Sequence, residues 1–342
     1  MRCLVTKVVW VGLVLVGGAC GMDLPVPSLI DSVRVLGIQA DRPEVGPGET
    51  VNLTALLVNV PEDATVQMEW TACVLPERGT GPLGGGGETG EGGGGGYGLS
   101  DGGTCVDLLA SAPDSVIDLG KQTSVSVTIP EDFLSDGSNT ARAYGLPLDA
   151  PLPEAALAGL HSIAGVNLTV TLVVTVDGES WISLKRINVS TAAEKNTNPS
   201  DMVFHLQRKE EAPKEAPEAA ALLSDGSCLT TEHGGVLSVS PGTYYLSALN
   251  VPETPVEYEV LSIGNTEQGL DITTAKETYY YSVFSTLGEF GLTIVKSTGS
   301  RRASWKLPKS EAGTDGFLWV VTRDGRGGID WCEQPITVQN TP

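Results

Sequence analysis

Val173-Val174-Thr175-Val176-Asp177-Gly178 and Val320-Val321-Thr322-Arg323-Asp324-Gly325 are nearly the same string, far apart in one chain. Each closes an apolar or alternating run, Val166–Val176 (VNLTVTLVVTV) in one case and Phe317–Arg323 (FLWVVTR) in the other. Each then leads into a segment bearing a tryptophan, Trp181–Val189 (WISLKRINV) and Ile329-Asp330-Trp331. Strand side chains alternate between two faces, and Asp-Gly supplies the positive φ of a tight hairpin. The pattern predicts two β-hairpins, and its recurrence predicts two modules built on one plan. The competing explanation is chance, because Asp-Gly hairpins recur in any β protein.

Working outward, Val33–Ala40 (VRVLGIQA) reads as a strand, followed by a turn dense in Pro and Gly from Arg42 to Thr50. Val51–Val58 and the strictly alternating Val66–Trp70 (VQMEW) are further strands, as is Ser124–Ile129. This order resembles the start of an immunoglobulin-like or PKD-like domain, which implies that Trp70 packs into a sandwich core. In the second half, Gly234–Leu249 and Glu277–Phe284 read as strands and Trp305 as a core residue. The expected fold is therefore mainly β, with one sandwich over residues 33–190 and a second over 191–342. A glycine-rich loop (79–103) interrupts the first and a Pro/Ala/Glu-rich insertion (209–221) the second. Leu152–Leu160 reads as one or two helical turns.

The N-terminus carries a different signal. Arg2 and Lys7 precede the apolar run Val8–Val16, too short for a stable bilayer span, and Gly17, Gly18 and Ala19 lead directly to Cys20. This resembles a bacterial lipobox, with Gly17 standing where the pattern has Leu. The resemblance implies a signal peptide over 1–19, lipid on Cys20 and a tether over 20–32, held in the membrane by two or more acyl chains. Ordinary secretion, with a cut beside Cys20, is the alternative. Gly21 in place of Asp points to the outer membrane.

Six cysteines are present. With Cys3 removed and Cys20 lipidated, Cys73, Cys105, Cys228 and Cys332 remain in an oxidising compartment. Three pairings are open, and the modules favour Cys73–Cys105 and Cys228–Cys332. A metal site is the rival, but no pair has CxxC spacing.

The net charge of −21 opposes contact with nucleic acid and with anionic membrane surfaces. No HExxH and no GxxxxGK[ST] occurs, and the three histidines, His161, His205 and His233, lack partners at motif spacing. The Asp324-Gly325-Arg326-Gly327-Gly328 stretch lacks EF-hand spacing for Ca²⁺, and turn geometry suffices to explain its glycines. No catalytic residue, cofactor or metal ligand is nominated. Carboxylates paired by the fold, as in a glycan hydrolase, have no readable spacing.

Cys20-Gly21-Met22-Asp23-Leu24-Pro25, Val33–Ala40 with Pro43 and Pro47-Gly48, and Trp319–Gly328 together resemble the uncharacterised surface lipoproteins of myxobacteria. That resemblance implies an immunoglobulin-like architecture and no known activity. The leading expectation is a lipid-anchored binding or structural protein meeting a protein or glycan partner. An accessory subunit of an envelope export or motility assembly is the second, and a hydrolase the third.

Overall fold

The computed structural model describes residues 27–76, 103–144, 154–199, 203–210, 236–249, 256–263, 270–296 and 302–340. The leader, Cys20, nearly all of the glycine-rich loop, most of the 209–221 insertion, Cys228 and His233 lie outside these residues.

The first sandwich begins with β1 (Arg34–Ala40), β2 (Glu44–Val45), β3 (Thr50–Val58) and β4 (Val66–Cys73). Then come α1 (Cys105–Ser111), β5 (Val116–Gly120), β6 (Ser124–Thr128), α2 (Gly137–Ala143), α3 (Glu154–Ile163), β7 (Val166–Val176) and β8 (Glu179–Val189). One sheet has the order β1-β3-β6, and the other β2-β8-β7-β4-β5. All pairings are antiparallel except β2 with β8, which is parallel.

The second sandwich comprises β9 (Val203–Arg208), β10 (Leu237–Val239), β11 (Gly242–Leu249), β14 (Tyr280–Ser285), β15 (Glu289–Phe290), β16 (Ile294–Lys296), β17 (Ala303–Leu307), β18 (Asp315–Arg323) and β19 (Ile329–Val338). Its sheets are β15-β17-β11-β9 and β10-β19-β18-β14-β16, again with a parallel short strand, β10, beside the last strand. Strand for strand, β9, β10, β11, β14, β16, β17, β18 and β19 take the places of β1 to β8 in order. That shared order, with a tryptophan or tyrosine at the centre, is an immunoglobulin-like sandwich used twice. A separate hairpin, β12 (Glu257–Ile263) with β13 (Leu270–Lys276), is inserted between β11 and β14.

The sequence explains each core. On β7, Val166, Leu168, Val170, Leu172, Val174 and Val176 all turn inward and are buried, as period-two alternation requires. Trp70 is fully buried on β4, and its Nε1 donates to the carbonyl of Gln122 at 2.8 Å. In the second core Trp305 is equally buried, stacks on Phe290 with ring centroids 5.7 Å apart, and donates to the Leu287 carbonyl at 2.9 Å. Burying such aromatics dominates core energetics, provided the indole N–H keeps a partner.

The two expected hairpins both form, with different turns. Val176 pairs with Glu179, leaving Asp177 (φ 50°) and Gly178 (φ 90°) as a two-residue turn with both φ positive. Arg323 pairs with Ile329, so Asp324–Gly328 is a five-residue connection instead.

Two helices, α1 and α2, have no counterpart in the sequence reading. Thr104 caps α1 in a reciprocal capping box with Asp107. α3 extends the expected turns at Leu152–Leu160 into ten residues.

Candidate functional site

A third apolar cluster belongs to neither sandwich alone. Ile30, Leu36, Leu56 and Val58 meet Phe284, Trp319, Val321 and Ile329. The outer face of β18 and β14 is thus covered by β1 and β3 of the first sandwich. This explains why Phe317–Val321 reads as a continuous apolar run: Leu318 and Val320 face one core while Trp319 and Val321 face another. Gly37 permits the approach, since a Cβ there would lie 2.6 Å from Ile329 Cδ1.

At one end of this contact the Asp324–Gly328 connection enters a polar junction. Asp324 is 1% exposed. Its Oδ1 accepts from the Arg326 amide at 2.7 Å and the Gly328 amide at 2.8 Å, which wraps the loop around the carboxylate. Gly328 is required there, because a Cβ would lie 2.2 Å from Asp324 Oδ2. That Oδ2 accepts from Asn196 Nδ2 at 2.7 Å, so the segment joining the sandwiches is fastened to the loop.

Arg326 reaches outward from the loop to three side chains. It pairs with Glu44 of β2 (3.4 Å) and with Glu277 (3.8 Å), and its guanidinium lies over the Tyr258 ring of β12 at 4.4 Å. Glu44 also accepts from Ser190 Oγ at 2.6 Å and from the Asn196 amide at 2.7 Å. Glu277 accepts from Tyr279 OH at 2.5 Å. Desolvation holds the Glu277 carboxyl above its usual range, against the opposing Tyr279 hydrogen bond. From the first sandwich, Lys185 Nζ donates to the Gly327 carbonyl. Burial pushes this ammonium down from 10.5 to about 8, with Asp324 pulling the other way.

Further bonds extend the junction along β1. Gln39 Nε2 donates to the Ile329 carbonyl at 3.0 Å, and Arg323 to the Leu36 carbonyl at 3.1 Å. Asn198 Nδ2 donates to the Ala40 carbonyl at 2.6 Å, while its Oδ1 accepts from the Ile329 amide at 3.0 Å.

Chemically, this arrangement joins the two sandwiches through buried, mutually engaged polar groups. Glu44, Asp324 and Glu277 converge, but each is engaged by protein donors, as a buried charge must be. Among the described residues, no group of three or more His, Cys, Asp and Glu side chains is placed to hold a metal ion. His161 is buried in α3 and hydrogen-bonded to Thr140 at 2.8 Å, a structural histidine.

Of the expected site residues, Cys73 and Cys105 are joined, with Cα atoms 5.6 Å apart. Cys332 is disulfide-bonded to a partner outside the described residues. Cys228 and Cys20 also lie outside them. The junction set of Glu44, Lys185, Asn196, Asp324 and Arg326 was missed by sequence reasoning. One signal was available: Trp181, Ser183, Lys185, Ile187 and Val189 share a strand face, which places a lysine among core positions.

No family model matches the chain. No curated protein matches it either. Among solved structures, the D0-D1 domain of intimin is 12% identical over 90% of this chain and 100% of that one, with a TM-score of 0.18. The Yersinia pseudotuberculosis adhesin InvE is 8% identical over 88% and 58%, with a TM-score of 0.17. An Escherichia coli alpha-2-macroglobulin is 11% identical over 88% and 22%, with a TM-score of 0.20. At such scores the fold assignment rests on the strand order and not on these likenesses. Among the described residues no helix is long and apolar enough to cross a membrane.

Proposed function

We propose that the chain is an exported envelope protein, anchored by lipid on Cys20, whose two sandwiches act as one stiff body that binds or braces a protein or glycan partner. The observation that carries this reading is the junction: a shared apolar core capped by a polar lock in which every buried carboxylate is committed. Such a lock suits a body that presents loops in a fixed relation, since binding loops gain from a rigid scaffold. The anchor is supported by the Val8–Val16 run and the small residues before Cys20, and outer-membrane placement by Gly21. The reading as a non-enzyme is supported by the engagement of Glu44, Asp324 and Glu277, which leaves none of the three as an available acid or base.

The test is expression of the full chain and of Cys20→Ser in a Gram-negative host fed labelled palmitate. Labelled protein in the outer membrane, with both label and membrane recovery lost in the variant, is the expected result. An unlabelled wild type free in periplasm or medium would overturn the anchor.

A further inference from the structure

The first described residues of the chain do not pack as a free lead into β1. Leu29 forms a parallel bridge with Ser285, the last residue of β14 in the second sandwich. Ile30 N donates to the Ser285 carbonyl at 2.8 Å, and Ser285 N donates to the Ser28 carbonyl at 2.9 Å. Ser28 Oγ accepts from the Phe290 amide at 3.2 Å. Ser28 is 1% and Ile30 2% exposed, and Ile30 belongs to the apolar cluster shared by the sandwiches. Arg34 donates to the Pro27 carbonyl at 2.7 Å, closing the turn back into β1. This stretch was expected to be tether up to residue 32. Ser28 to Ile30 are instead an edge piece of the second sandwich. β16 pairs with β14 only at Tyr280–Ser282, and the strap takes the edge beyond it, at Ser285. Filling an open edge is a recurrent need of β-sheets.

We infer that this strap is a mechanical clamp that takes the first sandwich out of the load path between the chain's two ends. Residues 28–30 and β19 are both fastened to the second sandwich, whereas residues 33–189 build the first sandwich as a closed excursion between them. Tension between an attachment upstream of Pro27 and a grip on the C-terminal end therefore passes through Ser285 and the shared core. The first sandwich bears that load only after the strap releases. The clamp works for any upstream attachment, so it stands apart from lipid on Cys20.

The experiment is single-molecule pulling on the mature chain with handles at its N- and C-termini, comparing wild type with Ile30→Pro. The proline removes the Ile30 N–H donor and the buried isoleucine together. In wild type, strap release precedes any step of the length of the first sandwich, about 50 nm for residues 33–189 at full extension. In the variant that long step comes first and at lower force. Identical first steps in force and length would overturn the clamp. Hydrogen exchange on β7 and β18 checks that Ile30→Pro is folded. If it is not, Ile30→Ala serves, with the expectation that Ser285 and Phe290 amides exchange at least tenfold faster than in wild type, by a larger factor than the amides of β7. Ser285 exchanging at the rate of open chain in wild type would equally refute the strap.

Discussion

Lys185→Met at the junction separates a charged lock from simple packing. Lys185 is 7% exposed, its Nζ donates to the Gly327 carbonyl, and burial lowers its pKa from 10.5 to about 8. At 1.36 kcal/mol per pKa unit, a depression of that size corresponds to about 3 kcal/mol of selective cost for the charged form in the folded state. The direction follows from proton binding. Between about pH 8 and 10.5 the unfolded chain holds this proton more firmly than the folded one, so stability from this group rises with pH across that window. Below it the folded state carries the full cost of the buried ammonium.

Lys185→Met removes the titration and nearly preserves the volume. Near neutral pH the variant is relieved of that cost but leaves the Gly327 carbonyl without its donor, a loss of about 1–3 kcal/mol. The two forms should then differ little. With rising pH the wild type alone improves, so the stability of variant relative to wild type should fall by about 3 kcal/mol between pH 7.5 and 10.5. Urea unfolding followed by far-ultraviolet circular dichroism across that range measures it, with other titrating groups cancelling in the difference. A difference that stays flat, or that grows in the variant's favour, would refute the reasoning that Lys185 is buried charged beside Asp324.

Other expectations follow from the same geometry. Asp324→Ala strips an acceptor from two loop amides and from Asn196, and should cost about 3–5 kcal/mol, read as a lower urea midpoint. Gly37→Val drives a side chain into Ile329. Overpacking of about 1–3 kcal/mol is expected, with faster hydrogen exchange in β1 and β18 together. Cys105→Ser opens a loop spanning a sequence separation of 32, and the chain-entropy picture gives a loss of about 3–4 kcal/mol in unfolding free energy. Non-reducing peptide mapping should also recover Cys228 linked to Cys332, and a free Cys228 would contradict that pairing.

Local pattern carried the two closing hairpins, the buried Trp70 and Trp305, and the closure of the glycine-rich loop by Cys73 and Cys105. Each depends on alternation, turn chemistry or nearby residues, which a single chain displays. The junction was not legible in the same way. Gln39 meets Ile329 across 290 residues, and Glu44 meets Ser190 across 146, so neither partner leaves a local mark on the other. Asp324–Gly328 resembled Asp177-Gly178 because both begin a turn with Asp-Gly. The surplus Arg326 and two extra glycines were the difference, and they serve the contact with the first sandwich. The strap was hidden for another reason. Ser28, Leu29 and Ile30 are too few to show a period, and the prolines before them read as linker.

Whether the two sandwiches behave as one body is tested most directly by hydrogen exchange of the intact chain through a urea series, following β7 in the first sandwich and β17 in the second. The expected result is a single shared midpoint for global opening of both, displaced downward for both by Asp324→Ala. Two separate midpoints in the wild type, with Asp324→Ala moving only the second, would contradict it.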